Sequence, residues 1–218
     1  MNRPTLPGLP DLTVNTIFCI GRNYVAHAKE LNNPLPQEPV IFTKPVTSLV
    51  FDGGRIVIPP ITGDVHHELE MVAAIGKSGK NIPEDGALDW VAGYAPGLDM
   101  TARDIQGRLK ENAHPWDVAK GLDTFAPLGE FVPASDIPDP ADVALQLTKN
   151  GEVVQQGVTE LMIFKLSFLI SYLSARFTLN PGDLIYTGTP EGVGPVRSGD
   201  VLEASLNGNQ SRFSVSVS

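Results

Sequence analysis

The sequence is poor in cysteine, in basic residues and in long apolar runs, and each shortage excludes something. A single cysteine, Cys19, cannot form an internal disulfide, which fits a reducing compartment. Within the apolar run TIFCIG it reads as a small core residue rather than a nucleophile. The 16 basic residues are outnumbered by 25 acidic ones, for a formal net charge of -9. That balance argues against nucleic acid, which is held mainly by basic side chains on phosphates, and against an anionic membrane surface. No window approaches the ~20 apolar residues that span a bilayer. The start, MNRPTLPGLPDLTVN, lacks the apolar core of a signal peptide. A soluble cytoplasmic protein is expected.

What is present suits one compact unit. At 42% hydrophobic and 19% charged, the 218 residues can bury a sizeable core, and residues 1–218 read as a single catalytic domain with an N-terminal arm over 1–15. The 21 Gly and 19 Pro interrupt the chain every few residues, which favours short strands. TIFCIG (16–21) and PVIFTKP (39–45) read as buried strands. Asn150-Gly151 and Asn207-Gly208 each suit the positive φ angles of a two-residue hairpin turn. Three helices are expected: a short one near 24–31, one starting at Thr101 with Asp104 completing a capping box, and a buried one over 159–175. The fold class predicted is α+β, mostly β.

One stretch conflicts with its surroundings. DVHHELEMVAAIGKSG (64–79) reads as a buried strand, yet carries Glu68 and Glu70 two residues apart, on one face. Buried carboxylates need a counter-charge or they neutralise. An exposed strand end would also explain them. A third carboxylate, Asp99, ends the apolar segment before the second helix, a kind of junction that often carries function. Three carboxylates from two elements make an oxygen-rich site suited to Mg²⁺ or Mn²⁺, and the metal would supply the compensation.

Five ordered motifs carry a wider resemblance: GRNYVAHAKEL (21–31), HHELEMVAAIG (66–76), LDMTARDIQ (98–106), AKGLDTFAPLG (119–129) and NPGDLIYTGTPEGVG (180–194). Together they resemble the fumarylacetoacetate hydrolase family, in particular its short acylpyruvate hydrolase branch, over nearly the whole chain. The resemblance implies a mixed β-roll or sandwich, a divalent metal held by Glu68, Glu70 and Asp99, and a homodimer. It also implies that Arg22, Arg103 and Lys120 face the site, where a 2-oxo acid substrate with its own carboxylate needs cations. Gln106 falls one turn after Arg103 and shares its face. Thr189, in TGTPEGVG, would contact the substrate carboxylate. Two plainer readings stand beside these: Lys120 as a surface lysine, and Arg103 as an ion-pair partner of Asp104 or Glu111.

His27 and Glu30, spaced i and i+3, meet on one face of a short helix. A carboxylate beside an imidazole raises its basicity and fixes its tautomer, as a general base for water requires. A solvated helix with a chance His–Glu pair has the same spacing; the resemblance favours a lid over 22–33 that carries the base. His66 and His67 precede the ligands and are candidates to support them. The glycines of TGTPEGVG lack the Lys-Ser/Thr pair of a phosphate loop, so a nucleotide site is not expected.

The expected activity is hydrolysis of the carbon–carbon bond of 3-acylpyruvates such as fumarylpyruvate or acetylpyruvate, to pyruvate and a carboxylic acid. Lys120 and Gln106 would steady the oxyanion, and oxaloacetate decarboxylation would be a side activity. The alternatives are isomerase, hydratase or decarboxylase chemistry on unsaturated 2-oxo dicarboxylic acids, and a non-catalytic metal or 2-oxo acid binding protein.

Overall fold

The computed structural model describes residues 3–218, so the first two residues of the expected arm lie outside the described residues. Most of the chain is in short strands, with four α-helices among the described residues: α1 (Val25–Glu30), α2 (Arg103–Glu111), α3 (Asp117–Lys120) and α4 (Leu166–Arg176). A mostly-β, α+β fold is what the frequent Gly and Pro predict.

The centre is a six-stranded mixed sheet in the order Val132–Pro133, Val91–Leu98, Leu69–Ile75, Leu184–Tyr186, Ile17–Gly21, Val40–Lys44. Side chains alternate across a strand, and here both faces are buried. Leu69, Met71, Ala73 and Ile75 enter one apolar cluster, while Val72 and Ala74 enter the other. The first cluster is shared with α4 and with a five-stranded sheet whose Leu145, Leu147, Leu202, Phe213 and Val215 point inward. The second is closed by the arm, where Thr5–Leu6 and Leu9–Thr13 pair as a hairpin and Leu6 is buried. Each large apolar side chain fully buried in this way contributes roughly 1.5–3 kcal/mol.

The turn chemistry holds at one hairpin and changes at the other. Asn150 and Gly151 have φ of 55° and 83° and form a two-residue link between Ala144–Lys149 and Glu152–Val158. At Asn207-Gly208 the last paired residues are Leu206 and Ser211, so the link has four residues. Asn207 is engaged elsewhere: its side chain accepts from the Ala144 N–H and donates to Gln210.

Two helix starts differ from expectation. Thr101 does not cap α2. It lies in the short strand Thr101–Ala102, pairs with His66, and its hydroxyl donates to the Asp99 carbonyl. Asp104 does not reach back to complete a box; its carboxylate holds Thr62 and the Gly63 N–H. The expected helix over 159–175 is split. Thr159–Leu161 is a single 3-10 turn, and α4 begins at Leu166. Between them the side chain of Asn23 accepts from the Phe164 N–H and donates to the Phe164 carbonyl, taking both groups that a continuous helix would need.

Candidate metal and catalytic site

Glu68 sits where the chain passes from one sheet to another. Val65–His67 belongs to a three-stranded sheet and Leu69–Ile75 to the six-stranded one. At the break the Leu69 N–H goes to the side chain of Gln155 instead of a ladder partner. Glu70 lies one pleat further on, and Asp99 follows the strand Val91–Leu98, its N–H donating to the Glu68 carbonyl at 2.8 Å. That bond sets the two segments in register. All three carboxylates are buried, with Glu68 5% and Glu70 and Asp99 each 1% exposed, which removes the exposed strand end as an explanation. One oxygen from each lies within 4.8 Å of the others.

Three cations oppose the three carboxylates. Lys120 Nζ donates to Glu68 Oε2 (2.7 Å) and Asp99 Oδ2 (2.6 Å), and Arg103 Nη2 donates to Glu68 Oε1 (2.6 Å). Lys44 Nζ lies 2.7 Å from Asp99 Oδ1. The resulting charges are unequal. Burial alone would raise the Glu68 carboxyl, but Lys120 and then Arg103 outweigh it and hold it well below the usual carboxylate range. Burial pushes Glu70 well above that range, with Asp99 and Glu68 adding to it; the Gly188 N–H, 2.8 Å from its Oε2, gives only partial relief. The same groups act in reverse on Lys120: burial opposes its charge, while Asp99 and Glu68 sustain it and win.

The donor set fits a hard divalent cation. It consists of carboxylate oxygens only, buried and mutually within 4.8 Å. Glu70 has no cation of its own. Residues Glu68, Glu70 and Asp99 can therefore hold Mg²⁺ or Mn²⁺, the arrangement the sequence suggested.

α1 carries His27 and Glu30, with His27 close enough to Glu68 to act on its charge. His27 is buried, and its Nδ1 is 3.2 Å from Glu30 Oε2. The other Glu30 oxygen accepts from the Gly192 N–H at 3.0 Å, which ties α1 to the TGTPEGVG loop. Within the pair His27 faces inward while Glu30 stays about one-third exposed. Gln106 is buried, and its Oε1 accepts from Arg103 Nη1 at 2.8 Å. Lys120, also buried, is not a surface lysine. Arg103 pairs with Glu68, not with Asp104 or Glu111. Arg22 stands further out, its guanidinium 5.6 Å from the centre of the Trp116 ring. The Thr189 hydroxyl accepts from Gln155 Nε2 at 3.0 Å.

Cys19 lies beneath the site. Burial, followed by Asp99, raises its thiol well above the ordinary value, which is the state of an inert core cysteine. His67 bonds to Gln155, whereas His66 turns away to Asp64. A groove of about 960 Å³ on the outer side, lined by Glu130, Asp136, Glu203 and Arg212 among others, includes neither the triad nor His27.

Four supporting residues escaped the sequence. Gln155 accepts from Leu69 N and bonds His67, while its amide donates to Thr189 and the Pro190 carbonyl. Nothing in VVQQG marks it. Lys44 was visible as a lysine inside an apolar strand. Asn23 stands between Arg22 and α1 and joins that segment to Thr187 and Phe164. Gly188 has φ +99°, and a Cβ there would come within 2.6 Å of the Asn23 Cβ, so the loop approaches Asn23 only because this residue is glycine.

Residues 16–213 match the fumarylacetoacetate (FAA) hydrolase C-terminal family. The mitochondrial oxaloacetate tautomerase FAHD1 of Arabidopsis thaliana is 50% identical over 192 residues, covering 88% of this chain and 86% of that protein. Among solved structures, the fumarylpyruvate hydrolase of Pseudomonas aeruginosa in complex with Mn²⁺ and pyruvate is 41% identical, with a TM-score of 0.90 over 98% of this chain and 94% of that one. The 5-carboxymethyl-2-hydroxymuconate delta-isomerase of Mycobacterium smegmatis is 37% identical, with a TM-score of 0.84 over 98% of this chain and 81% of that one. The motifs, the fold and these matches agree, and the chain belongs to the fumarylacetoacetate hydrolase family.

Proposed function

We propose that this enzyme hydrolyses the carbon–carbon bond of 3-acylpyruvates, releasing pyruvate and a carboxylic acid. The observation that carries the reading is the buried His27, paired with the partly exposed Glu30 and close enough to act on Glu68 of the all-carboxylate triad, since ligand binding alone needs no base. A divalent cation held by Glu68, Glu70 and Asp99, Mg²⁺ or Mn²⁺, would supply Lewis-acid stabilisation of negative charge on the pyruvate half.

The remaining work falls to side chains. Glu30 accepts a hydrogen bond from the His27 Nδ1–H, which leaves Nε2 free to take a proton from water. The water oxygen adds to the distal acyl carbonyl. The Gln106 amide and the Lys120 ammonium steady the oxyanion, with Gln106 presented by Arg103. The bond between the acyl carbon and C3 then breaks, its electron pair passing into pyruvate enolate. His27 returns its proton to C3. Thr189 and Arg22 would contact the substrate's carboxylate groups. Pyruvate release from acetylpyruvate and fumarylpyruvate, followed with a coupled dehydrogenase, tests the reading; no pyruvate from either in the presence of Mg²⁺ or Mn²⁺ overturns it.

A second reading is keto–enol tautomerisation of oxaloacetate, favoured by the 50% identity to a protein of that name. It needs the same base, moving a proton between O2 and C3 with no attacking water. Decay of enol-oxaloacetate absorbance without pyruvate formation would favour it. Oxaloacetate decarboxylation is proposed as a side activity, and a cytoplasmic location is proposed with it; the single buried thiol is compatible with any reducing compartment. A homodimer is proposed as well. The outer strand Val40–Lys44 leaves an edge of the central sheet unpaired, and Ile61 and Val118 are exposed beside it. Light scattering at micromolar concentration should return twice the chain mass of 23.4 kDa, and a monomer would refute it.

A further inference from the structure

We propose that Gln155 is a positioning residue: its side-chain amide leaves the Thr189 hydroxyl set to donate its proton to a bound carboxylate. The inference rests on the reading of the triad as a 2-oxo acid site, and it adds a residue that acts there through Thr189.

A β-bulge brings Gln155 to the site. Lys149 pairs with Glu152 and Thr148 with Val153, but Leu147 pairs with Gln155, so Val154 is an extra residue in its strand. Opposed residues share a face of the sheet, and Leu147 is buried in the core. Without the extra residue Leu147 would oppose Val154, and Gln155 would point outward, as the exposed Gln156 does. With it, Gln155 is only 2% exposed. The loop TGTPEGVG lies directly against this strand. A Cβ on Gly192 would come within 2.6 Å of the Val154 carbonyl oxygen, and one on Gly157 within 2.7 Å of Pro190.

The partners of the amide fix its orientation. The Leu69 N–H can only donate, so the atom that receives it at 3.0 Å is the oxygen. The carbonyls of Pro190 and Glu191, at 3.1 and 3.4 Å, can only accept, so they face the nitrogen. His67 Nδ1, 2.9 Å from the oxygen, therefore carries its hydrogen. On the nitrogen side Thr189 Oγ1 accepts at 3.0 Å and keeps its own proton to give. Among the described residues the one acceptor for that proton is the carbonyl of the next residue, Pro190, at 3.3 Å. Gln155 already serves that oxygen.

Thr189 also stands in the right part of the loop. The Gly188 N–H donates to Glu70 Oε2 at 2.8 Å, and the Gly192 N–H donates to Glu30 Oε1 at 3.0 Å. Thr189 thus lies on the stretch that runs from a triad carboxylate to the partner of the base. A hydroxyl that already accepts one hydrogen bond there is available to an anion as a donor. The same amide whose oxygen holds the strand break at Glu68 therefore prepares the loop for the ligand.

Pyruvate, the product of the proposed hydrolysis, is the probe, titrated calorimetrically into protein saturated with Mn²⁺. Thr189→Val should weaken its binding about tenfold, the loss of one hydrogen bond to a charged group. Thr189→Ser should bind like the parent. Gln155→Glu keeps an acceptor for Leu69 and His67 but draws the Thr189 proton to itself. It should weaken pyruvate binding roughly fivefold alone, and less than about twofold when combined with Thr189→Val. Gln155→Met removes the donor without adding a charge, and should lose about threefold, again only while the Thr189 hydroxyl is present. No loss in either Gln155 variant, or the same loss with and without that hydroxyl, overturns the positioning role and leaves the 2-oxo acid site standing. Parent-like binding by Thr189→Val overturns it in the same way. No pyruvate binding by the parent overturns the site reading and this inference together.

Discussion

Lys44 Nζ lies 2.7 Å from Asp99 Oδ1, yet its hydrogen bonds run to the backbone carbonyls of Met100, Lys120 and Phe125. At that distance the ammonium is an ion-pair partner of the carboxylate as well as a donor to the three carbonyls. One fully buried ammonium thus secures the strand end that carries Asp99 and the end of α3 that carries Lys120. Lys44→Met keeps the volume but strands a buried charge and three carbonyls. It should cost ~3–5 kcal/mol of unfolding free energy, read from denaturant titration. A loss under 1 kcal/mol would mean that the three carbonyls find other donors.

Metal removal should be decisive. Chelator should abolish turnover and Mg²⁺ or Mn²⁺ should restore it, since the triad offers hard oxygen ligands only. Full activity in excess chelator would refute the site.

Glu70 is the carboxylate with no cation of its own. Glu70→Gln retains an acceptor for the Gly188 N–H and removes the charge that burial opposes most. In chelator this variant should melt no lower than the parent, but added Mn²⁺ should no longer raise its Tm, because the ligand that linked cation to fold is gone. An undiminished Mn²⁺ shift would show that Glu70 is not a ligand.

His27→Ala should separate two chemistries. Acylpyruvate hydrolysis needs an activated water and should fall ~10²–10⁴-fold. Oxaloacetate decarboxylation needs an electron sink and an oriented carboxylate, and should fall far less. Equal losses, with Mn²⁺ still bound, would indicate that α1 serves as a cover rather than as a base. Asp99→Ala should abolish both activities.

Gln155→Leu removes the amide that joins the Glu68 strand break to the TGTPEGVG loop. The Leu69 N–H and the His67 ring would lose their partner, at ~1–3 kcal/mol for each buried group left unsatisfied. The expected result is a lower unfolding midpoint and weaker Mn²⁺ binding, measured by calorimetry. Parent-like metal affinity would confine Gln155 to a purely structural role.

Much of this was legible in the chain. The alternation of Leu69, Met71, Ala73 and Ile75 against Val72 and Ala74 shows both faces of a central strand, because period 2 is imposed by the backbone. Glu68, Glu70 and Asp99 announce themselves because carboxylates in apolar runs demand compensation. The i, i+3 spacing of His27 and Glu30 suffices to bring them together on one helical turn. Asn150-Gly151 marks its hairpin because few residues tolerate two successive positive φ angles. These are local properties, carried by near neighbours in sequence.

What only the tertiary structure decided involves partners distant in sequence. Asn23 interrupts a helix 141 residues away by occupying the Phe164 amide. Asp104 abandons a capping box for Thr62 and Gly63. Gln155 reaches the strand break from 86 residues along the chain, and Lys44 meets Asp99 from another strand of the same sheet. Which cation neutralises which carboxylate, and hence why Glu68 stays charged while Glu70 resists it, depends on distances of a few ångströms between elements. Coulomb interaction and desolvation act through space, so no periodicity in the sequence could reveal them.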